Sequence, residues 1–267
     1  MVQTKMPRNI FKFVFYKAVA ILRYLIELAN PSQITDYKKI PIIINNFNRV
    51  GYLKKLLTSL EKRGYSNIYI IDNCSTYPPL LEFYDTCGYK IYRLKKNLGA
   101  YSLWKSGLIK KFNKDYFVYT DSDIEPLEEC PSDFMLFFLN ALKKHKLASK
   151  VGFSLKIDDI PDCFTPKKAV IDHELTFSRF YISEESLFYA PIDTTFALYR
   201  PRTSWKHAYY NIEIYRTAWP LMARHLPWYL DSANPDKETL YYLDTANKTA
   251  TWIRKDKVLA ESRDRKK

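Results

Sequence analysis

Short apolar runs punctuate this chain at nearly even spacing. They fall at residues 40–44, 67–71, 89–93 and 116–120, and are rich in Ile, Val and Tyr. Runs of four or five such residues bounded by polar or turn-forming residues predict strands. Between them the apolar positions take helical spacing. Leu53, Leu56, Leu57 and Leu60 share one face of a helix predicted over 51–62, which stops at Gly64. A second helix is predicted over 79–87, ended by Gly88, and a third over 99–112. Strand–helix alternation at this spacing predicts an α/β layer, a mostly parallel sheet flanked by helices.

The segment before the first strand has a different pattern. Residues 10–28 are apolar enough to suggest a membrane span, but Lys12, Lys17, Arg23 and Glu27 would each be costly in hydrocarbon. Lys12, Tyr16, Arg23 and Glu27 fall on one narrow helical stripe, and a wide apolar face remains. Lys5 and Arg8 precede it. This predicts an amphipathic helix lying in a membrane interface, and equally fits one packed on the domain or on another protomer. It has no small-residue cleavage site of the signal-peptide kind. Asn30-Pro31-Ser32 ends the helix.

Composition narrows the partners. A formal charge of +13 favours anionic lipid, nucleic acid or a phosphorylated substrate, or is carried by solvated Lys faces. No compact Lys/Arg block interleaved with aromatics is present, so nucleic acid is not an expected partner. The basic tail at 254–267 is interrupted by Asp256, Glu261 and Asp264 and is expected to be a solvated end. Cys74, Cys87, Cys130 and Cys163 have neither CxxC nor zinc spacing, which predicts reduced thiols in a cytoplasmic setting.

The candidate chemistry lies where the strands end. In open α/β sheets ligands bind at the carboxyl ends of the strands. The first exit carries Asn45, Asn46, Asn48 and Arg49; the second Asp72, Asn73, Ser75 and Thr76; the third Lys96, Asn97 and Gly99. The fourth run ends in Asp121-Ser122-Asp123. Any one cluster is explained by turn and cap chemistry. Four in series, one with paired carboxylates, predict a ligand site. Two carboxylates in one turn suit a hard divalent cation, Mg²⁺ or Mn²⁺, shared with a substrate's phosphates. Walker A, Gly-x-Gly-x-x-Gly and Gly-x-Ser-x-Gly sequences are absent.

The ordered set of Asn45-Asn46-Phe47-Asn48-Arg49, Asp72-Asn73-x-Ser75-Thr76, Lys96-Asn97-Leu98-Gly99 and Asp121-Ser122-Asp123 resembles the GT-A glycosyltransferases, especially their family 2-like bacterial group. The likeness covers about residues 40–159 and extends more loosely to about 229, through stretches 191–200 and 223–229. It implies a GT-A, Rossmann-like fold with an N-terminal amphipathic helix and a C-terminal acceptor-side extension. The expected organisation is 1–36 helix and linker, 37–230 catalytic domain with its donor half to about 150 and acceptor half from about 151, and 231–267 a helical, basic extension. By position, Asp72 is expected to accept hydrogen bonds from the uracil or ribose of a nucleotide donor. Asn45, Asn48 and Arg49 are expected along the nucleoside and phosphates, and Asn97 and Gly99 on the donor floor. Asp121 is expected at the ribose or the metal, with Asp123 a direct metal ligand. His225, in a polar–aromatic cluster with Arg224, Trp228 and Tyr229, is expected to complete the metal shell or hold the diphosphate, or else to be a structural histidine.

An inverting transferase also needs a base. Asp193 is the leading candidate, against a role capping the Thr194-Thr195 turn. The Glu-Asp pair common in the family is missing: Asp158-Asp159 comes too soon after the Asp-x-Asp motif and Glu213 is isolated. His173 is expected in an exposed loop. Trp205, Tyr209, Tyr210, Trp219 and Trp228 are expected either to stack sugars or to pack the core. The implied activity is metal-dependent transfer of a sugar from a nucleotide-sugar, UDP-sugar favoured, to a glycan or glycolipid on an anionic membrane surface. Two other readings stay open: a sugar-phosphate nucleotidyltransferase, and a non-enzymatic membrane-surface binder.

Overall fold

A computed structural model describes residues 10–204 and 213–246, with side chains from residue 13. Lys5, Arg8, the Lys12 side chain, Trp205, Tyr209, Tyr210 and the tail at 254–267 lie outside the described residues. The four predicted strands form as β1 (Ile42–Asn46), β2 (Ile68–Asp72), β3 (Lys90–Arg93) and β4 (Phe117–Asp121), paired in parallel in the order β3-β2-β1-β4. Each begins one or two residues later than the apolar run, so the polar exit residues Asn45, Asn46, Asp72 and Asp121 belong to the strands themselves.

The sheet continues past β4. Strand β5 (Ile124–Pro126) leaves the main path and pairs with β10 (Ile214–His225). Beyond β4 come β9 (Ala197–Tyr199), β6 (Lys150–Leu155), β10, β8 (Leu187–Tyr189) and β7 (Tyr181–Ile182). Of these, β9 is antiparallel to both β4 and β6, whereas β6 and β10 run parallel to each other. The result is a ten-stranded mixed sheet, parallel through β3-β2-β1-β4 and between β6 and β10, and antiparallel where β5, β7, β8 and β9 join.

Period-two alternation fills both faces of the sheet. Ile42 and Ile44 point to one side, where they pack with α2 (Gly51–Lys62), α3 (Pro78–Thr86) and α5 (Phe134–Lys144). Ile43 points to the other, with Ile71, Phe117, Tyr119 and Tyr199. The helix expected over 99–112 is broken. Only α4 (Ser102–Lys105) is α-helical, and a short 3₁₀ turn, Leu108–Lys111, follows it. Gly107 sits between them at φ +79°, a left-handed conformation that ends a helix.

The β6–β9 pairing needs a glycine. A Cβ placed on Gly152 falls 2.4 Å from the Phe196 carbonyl oxygen and 2.6 Å from the Ala197 Cβ, both in a packed interior. Gly152→Ala is therefore expected to destabilise the fold by about 1–3 kcal/mol, the usual cost of overpacking. A lower urea midpoint at unchanged slope would show it.

The N-terminal helix, α1 (Ile10–Ala29), turns its polar stripe inward. Arg23 is buried and donates to the carbonyls of Leu147 and Ala148 at 2.7 and 2.9 Å, and to Thr203. Glu27 receives Arg200 at 2.8 Å and the Tyr116 hydroxyl at 2.6 Å, and Lys17 pairs with Glu213 at 3.2 Å. With Lys17, Arg23 and Glu27 held against the domain, α1 presents Val14, Phe15, Leu22, Leu25 and Leu28 to the outside, each more than half exposed. No helix among the described residues is long and apolar enough to cross a membrane.

Candidate active site

The strand order β3-β2-β1-β4 reverses direction at β1, and such a switch point opens a crevice at the strand ends. There Asn45 stands opposite Asp121 in the β1–β4 register, and its amide donates to Asp121 Oδ1 at 3.2 Å. The Asn45 carbonyl oxygen accepts from the Ser102 hydroxyl at 2.7 Å, which orients the amide. The other Asp121 oxygen accepts from Thr194 Oγ1 at 2.5 Å, while the Asp121 N–H donates to the Thr194 carbonyl at 3.0 Å. Burial, together with the charge of Asp123, pushes the Asp121 carboxyl well above its ordinary range.

Asp123 faces a different neighbour. Because β5 runs antiparallel to the end of β10, with Ile124 opposite His225, Asp123 meets the turn after β10. Its carbonyl accepts from the Leu226 N–H at 2.8 Å, and its Oδ2 lies 3.6 Å from His225 Nε2. Burial raises the Asp123 carboxyl, but His225 and Arg49 outweigh it and hold the group below its usual value. Asp123 Oδ1 is buried without a hydrogen-bond partner among the described residues, and so is His225 Nδ1.

These residues fit the cation that the motif implies. One carboxylate and one imidazole, with an orphaned carboxylate oxygen, suit Mg²⁺ or Mn²⁺ whose other positions are filled by water and phosphate oxygens. No group of three or more His, Cys, Asp or Glu arranged for a metal occurs among the described residues. Asp121 differs from Asp123 here: both its oxygens are already engaged by Asn45 and Thr194.

The loop from Pro191 to Thr195, between β8 and β9, brings Asp193 to the same crevice. Lys150, buried in β6, donates to the Ile192 and Asp193 carbonyls at 2.7 and 3.0 Å. Burial pulls the Lys150 ammonium down to about 7, with the charge of Asp193 acting the other way. The Asp193 side chain is exposed, and its carboxylate makes no hydrogen bond to the described residues. The other carboxylates considered for the base are occupied: Asp159 binds Arg224 and the Tyr229 hydroxyl, and Glu213 binds Lys17.

A cavity of about 990 Å³ joins these groups. Its lining includes Asn45, Arg49, Asn97, Gly99, Asp121, Asp123, Asp193 and His225, so eight of the ten predicted site residues converge. Asp72 and Asn48 do not line it. Asp72 is buried, its carboxyl raised by that burial, and it accepts from the Ser75 N–H at 3.1 Å to close its own turn. Asn48 sits at φ +51° and accepts from the Thr76 and Tyr77 N–H groups, so it staples the first exit to the second. Asn73 takes the wall position beside Asp72. Its side chain accepts from the Leu98 N–H and donates to the Gly99 carbonyl, which fixes the third exit at the cavity.

The far wall comes from the C-terminal extension. Helix α7 (Lys237–Thr245) starts at Asp236, which caps it by accepting from the Thr239 N–H at 2.7 Å. Glu238 then accepts from the Val50 and Gly51 N–H groups, both at 2.9 Å, at the start of α2. Thr239 receives Arg49 at 3.1 Å, and the Arg49 guanidinium lies 4.0 Å from the centre of the Tyr242 ring, which lines the cavity. Thr245 receives Asn48 at 2.8 Å. The sequence reading missed Tyr242, although Asp236-Lys-Glu-Thr239 is a legible helix start.

One further expectation changes, and for Trp228 one of two is decided. His173 lies on α6 (Lys167–Leu175) at the cavity edge, with Glu174 and Phe177, rather than in a loop. Trp228 is buried against His225, with ring centroids 4.8 Å apart, so it supports the histidine.

Residues 42–157 match the family described as Glycosyl transferase family 2. No curated protein matches the chain in sequence. Among solved structures the chain is similar to S. aureus TarS, at 18% identity and a TM-score of 0.43, over 85% of this chain and 43% of that one. It is likewise similar to TarS 1–349, at 17% identity and 0.43, over 84% and 70%. A third is the mannosyltransferase PcManGT from Pyrobaculum calidifontis in complex with GDP-Man and Mn²⁺, at 12% and 0.37, over 71% and 55%. This chain thus spans less than half the length of the TarS chain. The family match begins at β1 and ends just past β6, and so takes in the exits of β1, β2, β3 and β4 that build one side of the cavity.

Proposed function

We propose that the protein transfers a sugar from a nucleotide-sugar, a UDP-sugar in the first instance, to the hydroxyl of a glycan or glycolipid, with inversion at the anomeric carbon. The observation that carries this reading is the convergence of Asp121, Asp123, His225 and Asp193 on one cavity at the switch point of the sheet. Asp123 and His225 would hold Mg²⁺ or Mn²⁺, which supplies charge neutralisation to the departing nucleoside diphosphate. Asn97, Gly99 and Asn73 form the donor floor, and Arg49 with Tyr242 the wall beside the nucleoside and phosphates. Asp121, pinned by Asn45 and Thr194, orients the turn. Asp193 accepts the proton of the acceptor hydroxyl as that oxygen bonds the anomeric carbon and the bond to the diphosphate breaks. A hydrolysis screen of UDP-, GDP- and dTDP-sugars with Mn²⁺ tests the reading. Turnover of at least one donor is expected, and no turnover with or without metal would sink it.

The same reading puts the protein on the cytoplasmic face of an anionic membrane through α1. Its Lys17, Arg23 and Glu27 are engaged by the domain, its outer face is a row of large apolar side chains, and the chain carries +13 overall. Leu22→Glu with Leu25→Glu is expected to weaken co-sedimentation with phosphatidylglycerol vesicles by about tenfold or more. Equal co-sedimentation would remove the membrane from the account. Loss of a lipid-free dimer in the same variant would instead assign the face to a second copy.

A further inference from the structure

Beside the main cavity lies a second one of about 350 Å³, and the two share Leu155, Glu174, Phe177 and Arg216 as a common wall. Its mouth is aromatic. Strand β10 slips its register against β6 between Thr217 and Met222, so Trp219 leaves the ladder. Trp219 is 66% exposed and Tyr181, across the cavity, 51%. The Tyr181 ring packs on Phe188 with centroids 4.8 Å apart, which holds its orientation. Single exposed apolar side chains are ordinary, but large rings gathered at the mouth of a cavity mark a binding surface.

The floor is charged. Arg216 and Glu174 are both buried and pair at 2.6 Å. The guanidinium is further fixed by the Pro191 carbonyl at 2.7 Å and by the face of Phe177, 4.1 Å from its ring centre. Rings over a hydrogen-bonding floor suit a pyranose, which offers an apolar C–H face to the rings and hydroxyls to the floor. An acyl chain would strip water from the ion pair and return no hydrogen bond. Arg216 also grips the backbone two residues before Asp193, so the floor and the segment carrying that carboxylate are one rigid unit.

We infer that this second cavity is a glycan subsite for the acceptor, in which Trp219 and Tyr181 stack on a sugar ring and the Arg216–Glu174 pair meets its hydroxyls. The inference rests on the glycosyl-transfer reading above for its role, though not for the binding itself. The full chain, its Trp219→Ala variant and its Trp219→Tyr variant can be compared on a printed array of unlipidated oligosaccharides, with UDP and GDP titrated separately in the presence of Mn²⁺. Trp219 is exposed, so the variants should fold, and a thermal melt checks this. The wild type is expected to bind at least one oligosaccharide, Trp219→Ala to bind it about tenfold more weakly, and Trp219→Tyr to restore most of the affinity. Nucleotide affinity should be the same in all three. Unchanged oligosaccharide binding by Trp219→Ala, or a wild type that binds nucleotide but no oligosaccharide, overturns the subsite. Oligosaccharide binding that depends on Trp219 in a chain that binds neither nucleotide upholds the subsite and sinks the transferase reading instead.

Discussion

Asp123→Ala is expected to lower sugar transfer by about 10³-fold and to abolish the gain in nucleotide affinity brought by Mn²⁺. The reason is the contrast between the two carboxylates of the turn. Asp123 has a buried oxygen with no protein partner and an imidazole 3.6 Å from the other. Its charge also opposes ionisation of Asp121. Removing it relieves that repulsion but gives up the attraction of His225 and Arg49, so the two effects oppose each other and the melting temperature should shift little. Asp121→Ala should behave differently. It strands the Asn45 amide and the Thr194 hydroxyl, and leaving such buried groups unpaired costs about 1–3 kcal/mol. Calorimetry of UDP binding with and without Mn²⁺, beside a thermal melt of each variant, separates the two roles. An Asp123→Ala protein that keeps metal-enhanced binding would remove Asp123 from the metal site.

The second large effect is expected at Asp193. Asp193→Asn should reduce kcat by about 10²- to 10⁴-fold, the usual contribution of a positioned base, with donor KM nearly unchanged. A carboxylate that merely capped the Thr194-Thr195 turn would behave in the opposite way, with stability lost and kcat spared in the folded fraction. The side chain is exposed to the cavity and hydrogen-bonds no described residue, while Lys150 already holds its backbone carbonyl. The turn therefore stays in place without the carboxylate. Steady-state kinetics with the donor identified by the hydrolysis screen would check this, and an unchanged kcat would exclude Asp193 as the base.

Much of the strand-exit side of the cavity was legible because it depends on local pattern. The unbroken Ile42-Ile43-Ile44 run in β1 and the spacing of Leu53, Leu56, Leu57 and Leu60 mark a strand and a helix whatever surrounds them. The polar exits follow from where those runs stop. Side-chain direction within an exit was not legible. Asp72 and Asn48 have the same residue types as their cavity-facing neighbours, yet both turn inward, Asp72 to satisfy an N–H of its own turn and Asn48 to satisfy two of the neighbouring exit. Such competition between turn closure and ligand contact is decided by backbone geometry, which one residue of register can reverse.

Contacts between distant segments were also hidden. The ion pair of Arg216 with Glu174 spans 42 positions, and the bond of Arg49 to Thr239 spans 190. Neither has a local signal, because each is set by how β10, α6 and α7 pack on the sheet. The N-terminal helix shows the partial case. Its narrow polar stripe was evident from spacing, but only the fold shows that Arg23 and Glu27 are spent on Leu147, Ala148 and Arg200 while the apolar face looks outward.

Metal-dependent nucleotide binding is the claim on which the account turns. Calorimetric titration of the full chain with UDP and with GDP, each with and without Mn²⁺, tests it most directly. The account predicts that at least one nucleotide binds about tenfold or more tightly when Mn²⁺ is present, and that Asp123→Ala loses this difference. Equal affinity with and without Mn²⁺ for both nucleotides, or no binding of either, would contradict it.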